Sequence, residues 1–122
     1  MPNYNTQNPP YAIFPGDVAL AFNAEGPAAA QASQQFSLPD YSGRGEQGRT
    51  VRWQTLYGTA PSAVNIALQV ALQDVDAQYQ TIDSSTATAG ESRSVSGVNA
   101  KFIRAKVTTI TGGSGVAVQI LA

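Results

Sequence analysis

The chain contains neither cysteine nor histidine, and it is poor in charge. Without cysteine there is no disulfide framework and no thiolate nucleophile, so nothing ties the protein to an oxidising compartment. Without histidine, the commonest general base and the commonest metal ligand are missing together. Charged residues make up 12% of the chain, about half the usual share of ~25%. The formal net charge is −1, so there is no basic footprint for nucleic acid. No apolar run approaches the ~20 residues that cross a bilayer as a helix. The opening M-P-N-Y-N-T-Q-N-P-P has no basic region followed by an apolar one, so it is not read as a signal peptide. The expectation is a protein made and used in the cytoplasm, or released by lysis, with no membrane partner.

What remains is 122 residues of largely uncharged sequence, enough for one domain with its own core. Its polar surface comes from Gln, Asn, Ser and Thr, which leaves little charge repulsion between copies. The last fifth carries the clearest pattern. In K-F-I-R-A-K-V-T-T, Ile103, Ala105, Val107 and Thr109 fall on one face, and Phe102, Arg104, Lys106 and Thr108 on the other. After Gly112-Gly113-Ser114-Gly115, Val116, Val118 and Ile120 alternate with Ala117, Gln119 and Leu121. Alternation of this kind around a glycine-rich turn reads as an antiparallel hairpin with one dry face.

The same period of two recurs upstream. Val18, Leu20 and Phe22 share a face in the first strand of the body. Val51, Trp53, Thr55 and Tyr57 alternate with Arg52, Gln54 and Leu56. The longest alternation sets Val64, Ile66, Leu68, Val70 and Leu72 against Asn65, Ala67, Gln69, Ala71 and Gln73. Asp74-Val75-Asp76 turns this strand, and residues 77–83 return as another. Residues 35–41 and 92–98 complete seven or eight strands with no firm helix. Residues 28–35, A-A-A-Q-A-S-Q-Q, fit a short helical turn or an irregular edge equally well. The reading is all-β: an antiparallel β-sandwich, jelly-roll-like, with an extended N-terminal arm. Val64, Ile66, Leu68, Val70, Ile103, Val107, Val118 and Ile120 are the expected core.

The division falls at residue 16, with an arm over 1–16 and a sandwich over 17–122. The arm holds four of the seven prolines, Pro2, Pro9, Pro10 and Pro15. Proline removes ladder donors and extends the residue before it, so the arm is expected to stay out of the sheet. Tyr4, Tyr11, Ile13 and Phe14 punctuate it as apolar anchors. They suit docking on a neighbouring surface better than a tail with no partner.

Candidate chemistry is sparse. Asp74 and Asp76 form an Asp-x-Asp pair with Asp83 nearby, which reads as a structural turn or, less readily, a cation site. Calcium wants about six to eight oxygens, and the following strand offers mainly Gln and Tyr. The glycines of G-R-G-E-Q-G do not open a helix, so they are not a phosphate cradle. No nucleophile stands with a base, and only two lysines are present, Lys101 and Lys106. An enzyme is not expected, nor a cofactor or a metal. Trp53 reads as core, with a sugar-stacking platform as the alternative. Phe102, Arg104 and Lys106 read either as a solvated edge or as an interface patch, since Phe and Arg are enriched where surfaces meet.

The order of the C-terminal half resembles the jelly-roll capsid decoration, or cement, proteins of tailed bacteriophages. It runs A-V-N-I-A-L-Q-V-A-L-Q-D-V, a Ser/Thr loop, R-S-V-S-G-V-N-A, K-F-I-R-A-K-V-T-T-I-T-G-G and V-A-V-Q-I-L-A. The resemblance spans about residues 49–122 and is one of pattern, with no catalytic motif. It implies a non-enzymatic virion protein on the capsid surface whose partners are the major capsid protein and further copies of itself, as a trimer. The competing resemblance is to discoidin-like carbohydrate-binding sandwiches, which implies a glycan-binding module of a phage tail or bacterial surface protein.

Overall fold

The computed structural model describes residues 11–13, 18–23, 30–33, 35–38 and 49–121. Ten strands follow in order: β1 Tyr11–Ala12, β2 Val18–Asn23, β3 Gln31–Ala32, β4 Phe36–Ser37, β5 Arg49–Leu56, β6 Ala63–Ala71, β7 Gln80–Ser85, β8 Glu91–Val98, β9 Phe102–Thr111 and β10 Ala117–Leu121. A single turn of 3-10 helix, Asp76–Gln78, sits between β6 and β7. The strands form two sheets. One has the order β1-β4-β9-β6-β7 with β3 also on β9, and the other has the order β2-β10-β5-β8.

β3 and β4 lie along the same edge of β9 and act as two halves of one interrupted strand. Gln31 and Ala32 face Val107 and Lys106, and Phe36 and Ser37 face Ile103 and Phe102. Ser33 bridges the halves: its N–H donates to Ala105 O at 2.8 Å, and its Oγ accepts from Ala105 N–H at 3.0 Å. Counted this way, successive strands from β2 onward change sheet at every connection except β6 to β7. With β1 set aside as an added edge strand, two four-stranded sheets interleaved like this are a jelly roll. The fold is the all-β sandwich that the alternation implied.

The inner faces meet in one apolar core. Phe22, Val51, Trp53, Val118 and Ile120 come from one sheet, with Val116 just ahead of β10, and Phe36, Ile66, Leu68, Ile103 and Val107 from the other. Of the eight expected core residues, seven are buried; Val70 is half-buried and packs against the cluster. Leu72 lies beyond the end of β6 and is exposed.

The structure corrects four expectations. First, β9 and β10 are not a hairpin, since they lie in different sheets. Alternation around a glycine turn identifies two strands without stating that they pair. Gly112, Gly113 and Gly115 all adopt positive φ, and this turn carries the chain across the sandwich. There it knits to the β5–β6 connection, with Gly58 N–H and Thr59 N–H donating to Ser114 O at 2.9 and 3.0 Å. Second, β9 carries an extra residue at Thr108, between the pairs Asn65–Thr109 and Ile66–Val107. A bulge reverses the alternation beyond it. Ile110 therefore packs against the core, and Thr109 is exposed.

Third, the same device splits β2. Val118 pairs with Phe22, but its neighbour Gln119 pairs with Leu20, so Ala21 is the extra residue. Phe22 and Ala21 are buried, whereas Val18 and Leu20 face outward. Fourth, the described residues of the 1–16 arm, 11–13, do not stay out of the sheet. Tyr11 and Ala12 pair in parallel with Phe36 and Ser37, and Ile13 N–H donates to Ser37 O at 3.0 Å. These three residues lie between Pro10 and Pro15 and keep their own donors, so the prolines do not exclude them. Within the Ala/Gln stretch, Gln31–Ala32 form the strand β3, and within the expected strand over 35–41, Phe36–Ser37 form β4; residues 28, 29, 34 and 39–41 lie outside the described residues. The glycine-rich stretch 42–48, which reads as a flexible loop from its sequence, lies outside the described residues.

Candidate functional site

Charged and polar side chains gather in two places. The first is the outer face of the β9–β6 sheet, where the β6–β7 connection folds back. Arg104 points out from β9 but is covered, with its side chain 5% exposed. Its Nε donates to Gln69 Oε1 at 3.0 Å, and its Nη1 donates to Asp76 Oδ1 at 2.7 Å. The guanidinium lies over the Tyr79 ring, 4.0 Å from its centroid. The Tyr79 hydroxyl donates to Asp74 Oδ1 at 2.9 Å, and the Gln35 amide donates to both Asp74 oxygens at 3.0 and 3.1 Å. Burial, and then the hydrogen bond to Asp74, push the Tyr79 phenol well above its ordinary pKa. One chain of contacts thus clamps the turn to the sheet.

The second place is the mouth between the β7 and β8 edges. Asp83 Oδ2 accepts from Trp53 Nε1 and from Arg93 Nε, both at 2.9 Å. Ser85 Oγ donates to Glu91 Oε1 at 2.7 Å, and Arg93 Nη1 lies 3.4 Å from the same oxygen. Burial alone would raise the Asp83 pKa. The hydrogen bonds from Arg93, Trp53 and the Ser84 backbone outweigh it and hold the carboxyl below its ordinary value. Asp83 in turn raises the Arg93 guanidinium. Charges pointing inward from an edge strand close the sandwich and discourage pairing with another sheet.

Asp74, Asp76 and Asp83 therefore have structural partners, and their carboxylates do not converge. Among the described residues no group of three or more acidic side chains is placed to hold a metal. Trp53 is buried and hydrogen-bonded, so it is core and not a stacking platform. No described Trp, Tyr or Phe side chain is exposed.

The expected partner-binding residues separate. Arg104 leaves the proposed patch altogether, because the β6–β7 turn covers it; alternation gives the direction of a side chain, not what lies above it. Phe102 is half-buried at the start of β9. Ile13 is buried in the chain's own core and is not free to anchor elsewhere. Tyr11 contributes its backbone to β1; Tyr4 and Phe14 lie outside the described residues.

One feature went unread in the sequence. Val18 and Leu20 of β2, Leu121 of β10 and Leu56 of β5 all reach the outer face of the β2–β8 sheet. Leu56 and Leu121 were legible there by alternation, but the bulge at Ala21 hid the other two.

No family model matches the chain, and no curated protein matches it in sequence. Among solved structures it is similar to SPBc2 prophage-derived protein YomS, with a TM-score of 0.54 at 12% identity. The likeness covers 85% of this chain and 90% of that one. At this identity what the two share is the fold.

Proposed function

We propose that the chain is a non-enzymatic virion structural protein of a bacteriophage, a decoration protein that binds the outer capsid surface as an oligomer and stabilises it. The observation that carries this reading is the jelly roll itself, similar across most of its length to a prophage-derived protein. The polar clusters support it. Their charged groups serve to clamp a turn and to close the mouth of the sandwich, which is the chemistry of a rigid building block. Low charge reduces the desolvation cost of laying such a block on another protein surface. A stable contact of this kind buries on the order of 800 Å² per partner. The glycan-binding alternative loses its platform with the burial of Trp53.

The test is to mix the purified chain with capsids of the phage that encodes it and sediment them. Saturable co-sedimentation, with particles that survive higher temperature when decorated, is the expected result. A chain that stays in the supernatant and leaves particle melting unchanged would remove the reading.

A further inference from the structure

We propose that the β2–β10 side of the outer sheet face is a contact between copies of this chain. This rests on the oligomeric reading above and gives it a surface, one that joins copies in pairs and does not by itself make the trimer the resemblance implies. Four of the six exposed large apolar side chains among the described residues lie on this one face: Val18 at 57%, Leu20 at 52%, Leu56 at 40% and Leu121 at 37% exposure. The register sets Val18 beside Leu121, Leu20 beside Gln119, and Ala117 beside Leu56. Clustered apolar exposure of this kind marks an interaction site, whereas isolated exposed leucines do not.

The edges of the sandwich point the same way. β8 turns Glu91 and Arg93 inward, and β7 brings Asp83 to meet them. These edges are guarded against further pairing. β2 reads V-A-L-A-F-N, with no charge and no proline, and has no strand on its outer side among the described residues.

The occupant that fits is a second copy. Arg52 is the one charged side chain described on this outer face, and it lies toward β8, donating to Ser92 Oγ at 2.8 Å. The polar group at the seam is the amide of Gln119, with that of Gln54 its cross-strand neighbour on β5. An amide both donates and accepts, so it pairs with its own kind. A two-fold axis along the β2–β10 seam lays β2 on β10 of the second copy and leaves both Arg52 side chains at the rim. No unpaired charge is then buried at the centre.

The absence of cysteine makes the test direct. In the full chain, Leu20→Cys provides a single thiol at the proposed seam, and Thr81→Cys provides one on the exposed far edge. A short bismaleimide, which spans the ~10 Å between facing sheets, should cross-link the first into a dimer and leave the second monomeric. In sedimentation equilibrium, Leu20→Lys should weaken self-association at least ~tenfold. Its melting temperature should match that of unassociated wild type, because Leu20 is outside the core. A wild-type chain that stays monomeric at high micromolar concentration would overturn the proposal. So would unchanged association of Leu20→Lys, or equal cross-linking of the two thiols. Capsid binding is read separately. Self-association that Leu20→Lys abolishes, in a chain that does not bind capsids, upholds the contact and removes only the decoration reading. Capsid binding with self-association insensitive to Leu20→Lys does the reverse.

Discussion

At the residue scale, two side chains turn polar chemistry into rigidity. Asp83 is held ionised by Trp53 and Arg93, so its folded-state pKa lies below its unfolded one. Folding therefore favours the carboxylate. The stability this contributes is fully present above the ordinary carboxylate pKa of ~3.9 and is lost as pH falls through the lowered value. Asp83→Asn should accordingly melt below wild type at neutral pH, and the gap should narrow on acidification through pH ~4. Trp53 is the only tryptophan, so its fluorescence can follow both melts. A gap independent of pH would mean that the carboxylate is not linked to folding.

Arg104 is the other case. Its ion-pair partner Asp76 is 72% exposed, so the pair itself adds little. Removing the arginine also removes a hydrogen bond to Gln69 and the stack on Tyr79. With charged hydrogen bonds worth ~1.5–3 kcal/mol and a desolvated cation–π contact ~2 kcal/mol, Arg104→Ala should cost ~2–4 kcal/mol in denaturant unfolding. A cost below ~0.5 kcal/mol would place Arg104 among solvated surface residues.

At the scale of elements, the turns and the edges do the specifying. Gly113 has φ 76°, and a Cβ added there would lie 2.8 Å from Pro61 N in the connection it packs against. Gly97 has φ 72°, with open space around the same position. Both alanine substitutions carry the left-handed backbone penalty of roughly 1–2 kcal/mol, but only Gly113→Ala must also push two loops apart. Gly113→Ala should therefore destabilise clearly more than Gly97→Ala; equal costs would mean that the two loops move freely.

β1 makes a second point at this scale. Its two pairs with β4 are few, and it is Ile13, 1% exposed, that fixes the segment to the body. Ile13→Ala should cost ~2–5 kcal/mol, comparable to Ile66→Ala in the central strand β6. A negligible loss at Ile13 with a large one at Ile66 would restore the picture of an independent arm.

At the scale of the whole molecule, both sheets contribute to a single core, and nearly every connection crosses between them. Neither sheet can bury its apolar face without the other. Trp53 fluorescence and far-ultraviolet dichroism should therefore trace coincident, two-state unfolding curves. Transitions separated in denaturant would show the sheets unfolding independently. The same interleaving leaves the two outer faces in different conditions: one partly covered by the β6–β7 turn, the other apolar and open beside β2.

The sequence by itself determined the class of fold. The period of two runs through 49–57, 64–72, 102–109 and 116–121, and a strand with one buried face cannot shift by one residue without turning its apolar set to water. For the same reason most of the core was legible, from Ile66 and Leu68 to Val118 and Ile120. Tertiary structure alone decided which strands pair, because alternation is the same whether a glycine turn closes a hairpin or crosses a sandwich. It also decided the bulges at Ala21 and Thr108, which depend on two strands meeting out of step. The fate of Arg104 was settled there too. Its direction was written in β9, but its burial came from a turn about thirty residues earlier that folds back over it. The apolar face beside β2 belongs to the same category: a bulge invisible in V-A-L-A-F-N turns Val18 and Leu20 out of the core and onto the surface.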